Sequence, residues 1–317
     1  PEWLSSRVLS LGLAALATSG YALALMRKSS GGGAVATWGK LVVFVVLVLV
    51  GLWALGSAPS GRITAAFDPL LPSGFSGLMM AMGFTFIAVQ GFDLIPAVGG
   101  EIKDPQRTIP RSMMIALGVA MAVYLPLLFI VAAVGVSPGE SIEALSKAHP
   151  ETVIALAAKN YMGPIGYWLV VLSAILATLS ALHACLMAAS RIALTMARDR
   201  TLPSQLGTLH PERKTPVLAL YATTIAALVI LFAVPDVSSA GAAASLIFLV
   251  SFAIAHVTAI LARLRGGSSG PGFRTPLFPL VPVLGGVACA GLAVFQIIVV
   301  PAAGIVTALG LAVGALL

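Results

Sequence analysis

The chain is written as long apolar runs separated by short polar or glycine-rich breaks. A run of about 20 residues, wound as a helix, matches the hydrocarbon thickness of a bilayer. Nine such runs can be placed, at 4–26, 35–55, 75–99, 113–136, 165–197, 216–234, 240–264, 280–300 and 301–317. Pro126 is expected to kink the fourth. The fifth is longer than a bilayer requires, so it should tilt or project. Between them, 140–160 mixes apolar and charged residues and predicts helices lying on the membrane surface.

The third run breaks the pattern. Gly83 and Gly91 interrupt it, Asp93 places a formal charge inside it, and Pro96 follows three residues later. It closes on a polar stretch from Glu101 to Arg111 that carries Lys103 and Arg107 and is stiffened by Pro105 and Pro110. This predicts a membrane helix broken near its middle and closed by a solvated charged turn.

Composition then bounds the class. The chain is 59% hydrophobic and 9% charged, with mean hydropathy +1.04. Soluble domains carry roughly 25% charged residues, which excludes a water-soluble globule. The fold class is therefore all-α, a polytopic transmembrane helical bundle of about nine spans in a lipid bilayer.

The net charge of +7 would suit nucleic acid, but its distribution points elsewhere. If successive connections alternate sides, Arg27, Lys28, Lys103, Arg107, Arg111, Arg191, Arg198, Arg200, Arg213, Lys214, Arg263, Arg265 and Arg274 share one face. Arg7, Arg62, Lys147 and Lys159 fall on the other, and Lys40 lies within a span. That asymmetry places the first face in the cytoplasm, and no nucleic-acid partner is expected. The same count puts residue 1 outside and residue 317 inside. A chain that starts outside, directly before a span and with no basic n-region, is expected to lack an odd number of preceding helices.

Cys185 and Cys289 fit no metal spacing, and no cofactor is expected. An intramembrane enzyme would need a set such as His-Glu-x-x-His or a nucleophile with a base in reach. A channel would show a filter-like run. The sequence offers neither, so a carrier and a non-transporting sensor or fragment stay open.

Three blocks carry a family resemblance. GFTFIAVQGFDLIPAVGGEIKDPQRTIPRSM (83–113) resembles the sixth-helix region of the amino acid–polyamine–organocation permeases, with Gly91-Phe92-Asp93, Glu101 and then Lys103-Asp104-Pro105 through Ile109-Pro110. SRIALTMARDRTLPSQL (190–206) is similar to the end of their eighth helix, and Lys214-Thr215-Pro216 to the start of the ninth. FRTPLFPLVPVLG (273–285) resembles the start of the eleventh. The blocks keep the family's order, and the resemblance covers most of the chain.

The resemblance implies a LeuT-like fold of two inverted five-helix repeats, with substrate bound at the midplane where helices unwind. Residues 1–57 would be the remnant of the first repeat, 75–264 the second, and 280–317 two peripheral helices. Three helices would be missing, among them the first, whose glycine-rich amides hold the substrate carboxylate in the family. Such a chain is not expected to transport by itself.

The implied substrate-binding residues are Phe86, Ile87, Gln90, Gly91 and Asp93, with the unwound carbonyls from Phe86 to Gly91 accepting the substrate ammonium. Asp93 has two readings. It contacts the ammonium or a coupling proton, or it caps a half-helix restarted after Gly91 by accepting its backbone N–H bonds. Lys40 falls where proton-coupled relatives carry a fifth-helix lysine in place of a sodium ion, and an ammonium in low dielectric can exchange a proton. Its alternative is snorkelling to the interface. Thr178 and Ser180, with Ser173, could line a cation site beside Lys40, or could simply allow close helix packing. Arg191, Arg198 and Asp199 read as anchors pairing with the Glu101–Arg111 turn across the cytoplasmic mouth. His183 and His256 read as contacts between helices.

The implied function is secondary active transport of amino acids or related amines across the cytoplasmic membrane by alternating access, coupled to protons or to sodium. The alternatives are an amino acid/polyamine exchanger of the same fold and a transport-incompetent fragment.

Overall fold

The computed structural model describes residues 7–27, 33–59, 61, 63–64, 67–137, 141–233, 237–265, 273, 275–301, 303–305 and 307–308. Its helices are α1 (Arg7–Arg27), α2 (Gly33–Gly56), α3 (Gly74–Thr85), α4 (Pro105–Val134), α5 (Ile142–Ala148), α6 (Val153–Met162), α7 (Pro164–Arg198), α8 (Val217–Ala233), α9 (Val237–Leu264) and α10 (Leu280–Val299). Between α3 and α4 run three short 3-10 segments, Phe86–Val89, Phe92–Leu94 and Pro96–Glu101. No strand occurs among the described residues.

Six helices are long and apolar enough to cross a membrane, and the bent pair Gly74–Val89 and Phe92–Glu101 makes a seventh if counted as one span. The sixth expected run forms α8, a shorter apolar helix. The ninth, at 301–317, lies mostly outside the described residues. The described residues therefore give six or seven full spans rather than nine. The helix α4 continues through Pro126. It also begins earlier than the sequence suggested: Pro105 is its first residue and Thr108 N–H already donates to the Asp104 carbonyl. A proline at the first helical position loses no intrahelical bond, so the charged turn is shorter than 101–111.

The chain divides into two compact units, and the division falls inside α4, α7 and α8. The first unit comprises Pro1–Leu70, Ala116–Ser190 and Thr208–Thr224. Leu47 of α2 packs there against Leu127 and Val131 of α4 and against Ala157 and Ala158 of α6. The alanines let α6 lie close: a Cβ on Gly135, just past α4, would stand 2.7 Å from the Ala157 Cβ. Asn160 Nδ2 donates to the Gly135 carbonyl at 2.8 Å, tying down the carboxyl end of α4. The stretch 142–162 thus forms two helices, α5 and α6. Ser141 caps α5 by accepting from Ala144 N–H at 3.1 Å.

At the other end of α1, Ala22, Leu25 and Met26 pack on Leu186 and Leu220. Arg213 Nη1 donates to the Met26 carbonyl at 3.5 Å, placing a cation at the negative end of that helix. His183 stacks on Tyr21 with ring centroids 5.6 Å apart.

The second unit comprises Leu71–Ile115, Arg191–Gly207 and Ile225–Leu317. Its core joins Leu246 and Leu249 of α9 to Cys289 and Ala293 of α10, with Phe86 packed alongside. His256 occupies a notch left by Gly285 and Gly286; a Cβ on Gly285 would stand 2.5 Å from its Nε2. The Arg263 guanidinium of α9 lies 4.6 Å from the centre of the Phe278 ring, in the turn that leads into α10.

A close approach of two helices in the first unit generates a test. A Cβ on Gly51 of α2 would collide with Cγ2 of Ile130 of α4, itself fully buried. Gly51→Ala should destabilise the protein by about 1–3 kcal/mol through overpacking. Combined with Ile130→Ala, it should cost clearly less than the two separate effects added together. Thermal unfolding in detergent measures this cycle, and strict additivity would show that α2 and α4 do not meet there.

Candidate functional site

The broken segment is built by its backbone. The α-helix ends at Thr85, tightens to 3-10 over Phe86–Val89, and then opens: Gln90 is extended at φ −70°, ψ 159°, and Gly91 has φ 124°. An L-side chain rarely adopts that φ, which is why glycine stands there. The halves on either side of the break are bent by 42°. Beyond it the chain does not resume an α-helix. It makes 3-10 turns over Phe92–Leu94 and Pro96–Glu101, with Val98 non-helical at φ −103°, ψ 15°.

Asp93 acts at the break in a way the sequence did not suggest. Its Oδ1 accepts from Gly91 N–H at 2.7 Å, two residues upstream. It does not cap a restarted half-helix from the front, because the break itself leaves Gly91 N–H without a helical acceptor and the short carboxylate reaches back to it. Ile87 carbonyl accepts from Gln90 N–H at 3.1 Å and Gly91 carbonyl from Leu94 N–H at 3.3 Å. Each of these oxygens keeps a second lone pair. Gln90 Oε1 is shielded and has no partner among the described residues. Phe86 and Phe92, from the two sides of the break, both meet Phe252 of α9, with centroids 5.9 and 6.0 Å away.

The end of the segment is held electrostatically. Glu101 Oε1 and Arg191 Nε are 2.6 Å apart, the arginine side chain 10% and the glutamate side chain 59% exposed. Arg191 does pair with the turn, through its first residue. Arg198 turns instead to its own loop, where Nε donates to the Gly207 carbonyl at 3.4 Å.

In the first unit, Lys40 Nζ donates to Ser180 Oγ at 3.4 Å, joining α2 to α7. Ser173, two turns before Ser180 on the same face, is 1% exposed, and its Oγ has no partner among the described residues. Thr178 does not join Lys40. It sits about 200° round the helix from Ser180, is exposed, and donates to the Ala174 and Ile175 carbonyls of its own helix.

The chain matches the family model described as "Amino acid permease" over residues 1–313. It belongs to that family. It is a multi-pass membrane protein, as its apolar helices require. An uncharacterized transporter of Mycobacterium tuberculosis is 34% identical over 253 residues, covering 78% of this chain and 53% of the relative. The serine/threonine exchanger SteT of Bacillus subtilis is 26% identical, covering 78% and 54%. The branched-chain amino acid permease BcaP of the same organism is 26% identical, covering 77% and 50%. The chain spans about half the length of these relatives.

Two polar residues of this family member escaped the sequence reading. Ser245 and Gln296 are buried in apolar spans and hydrogen-bonded between helices. The signal was available, since a lone amide in the run FQIIVV is as costly as the Asp93 carboxylate is conspicuous.

The ion pair gives the test for this site. Glu101→Gln should cost about 1 kcal/mol, because one partner is largely exposed. That difference in thermal stability should shrink as salt is raised. Equal stability of Glu101 and the glutamine variant at every salt concentration would show that the charge on Glu101 holds nothing in place.

Proposed function

We propose that the protein carries amino acids or related amines across the cytoplasmic membrane by secondary active transport, through alternating access and with proton coupling. The observation that supports this best is the break at Gln90–Gly91. It frees backbone polar groups inside an apolar span of a chain belonging to the amino acid permease family. In a membrane, irregular backbone is tolerated only where it is buried in protein or lines a polar cavity. Midplane binding sites in inverted-repeat carriers are built on such breaks.

In this reading the carbonyls from Phe86 to Gly91 accept the substrate ammonium. Gln90 Oε1, lacking a partner, is a further acceptor for substrate. Asp93 contributes through Gly91: by holding that N–H it fixes the opened backbone. Lys40, whose ammonium donates to Ser180 and so links α2 to α7, is the coupling cation. The second repeat runs over 75–264, and the basic ends of the spans face the cytoplasm.

An exchanger of the same fold is the second reading, and the likeness to SteT, a serine/threonine exchanger, favours it. The two separate in proteoliposomes. A proton symporter accumulates labelled amino acid under an inward pH gradient with nothing inside, whereas an exchanger needs unlabelled amino acid in the lumen. Lys40→Met should abolish accumulation driven by the pH gradient while sparing substrate binding. Undiminished proton-driven uptake in Lys40→Met would remove the coupling role, and uptake driven by a sodium gradient alone would replace the proton by sodium.

A further inference from the structure

The second unit holds a small polar network that the transport reading does not use. Ser245 on α9 is fully buried, and Gln296 on α10 is 3% exposed. Ser245 Oγ donates to the Gly83 carbonyl at 2.6 Å, and Gln296 Nε2 donates to the Ala242 carbonyl at 2.9 Å. Ala242 and Ser245 are one helical turn apart, so a single turn of α9 takes both bonds. Gln296 Oε1 is buried without a partner among the described residues and lies 3.5 Å from where a Cβ on Gly83 would stand. The orientation of the amide follows from its surroundings. Reversed, it would set Oε1 against the Ala242 carbonyl, acceptor facing acceptor.

The surroundings are otherwise apolar. Met79, Met80, Phe84, Phe295, Val299 and Val300 line the crevice beside Gln296. A polar group buried among such side chains is costly unless it is hydrogen-bonded, and packing alone would be served better by leucine. What distinguishes the place is its position in the chain. Gly83 lies in the last turn of α3, two residues before that helix ends and three before Phe86. The network therefore meets the broken segment where regular helix stops.

We propose that Ser245 and Gln296 are positioning residues for the break: they set the register of the last turn of α3 against α9 and α10, and so the placement of the opened stretch from Phe86 to Gly91. Ser245 acts directly on the Gly83 carbonyl. Gln296 acts through α9, by holding the turn that carries Ser245, and through its contact with the bare face of Gly83. The helix α10 thereby takes part in shaping the opened stretch, beyond packing at the edge of the unit. The consequence for substrate rests on the transport reading; the positioning itself does not.

The test uses a reporter that works without transport. In a background of Cys185→Ser and Cys289→Ala, Ala88→Cys places a thiol at an exposed position in the 3-10 turn before the break. Thr258→Cys places one at an exposed position farther along α9. Maleimide labelling of the full chain in nanodiscs is then followed with and without Ser245→Ala or Gln296→Leu. Either substitution should change the rate at 88 several-fold and leave the rate at 258 unaltered. Where uptake is measurable, each should raise KM more than it lowers the maximal rate. Rates at 88 and 258 that move together would show general loosening, and rates that both stay put would show no positioning; either result overturns the proposal. If Gln296→Leu fails to fold, Ser245→Ala removes one hydroxyl only and carries the same comparison. Absent uptake alongside the expected labelling pattern would count against transport and leave the positioning role standing.

Discussion

A polypeptide in hydrocarbon must satisfy its own backbone, and the segment from Gly74 to Glu101 is shaped by that demand. An unbroken helix would meet it at no cost in side-chain chemistry. Opening the helix at Gln90 and Gly91 frees donors and acceptors that then need local partners. The chain supplies them from close by: Asp93 for the Gly91 N–H, 3-10 turns for the carbonyls of Ile87 and Gly91, and a ring of aromatics over both sides of the opening. The Gly91 N–H and the carbonyls of Ile87 and Gly91 are thus met locally, while Gln90 Oε1 is buried without a partner among the described residues.

The segment is anchored differently at its two ends. Before the break, the Gly83 carbonyl is held by a buried hydroxyl among apolar side chains. After it, Glu101 meets Arg191 in an ion pair whose acidic member is mostly exposed to solvent. A buried neutral hydrogen bond is insensitive to salt, and an exposed ion pair is screened by it. One end is thus fixed by packing, and the other is open to modulation by its surroundings.

Much of this was legible in one dimension. Long apolar runs declare helices because nothing else can be buried so continuously, and Gly91, Asp93 and Pro96 within such a run declare a break. Other features needed three. Asp93 was visible as costly, yet whether its carboxylate turns forward or back depends on which N–H the break leaves bare. Pro105 looked like a loop residue, but a proline at a helix start is at home there, so α4 begins inside the supposed turn and runs on through Pro110. Thr178 and Ser180 looked like a pair because they are close in sequence, when helical periodicity already sets them on different faces. Gln296 went unnoticed because it stands in a run with no other punctuation, and only the fold brings it to Gly83.

Gly91 has one more implication. A Cβ placed there would find no atom within 4 Å, so space is not what excludes a side chain. The restriction comes from φ at 124°, which is a matter of handedness. A residue of the opposite chirality would adopt that angle readily and have room for its methyl group. At this point the chain uses the one amino acid that belongs to neither hand, and the opened stretch takes its direction from that neutrality.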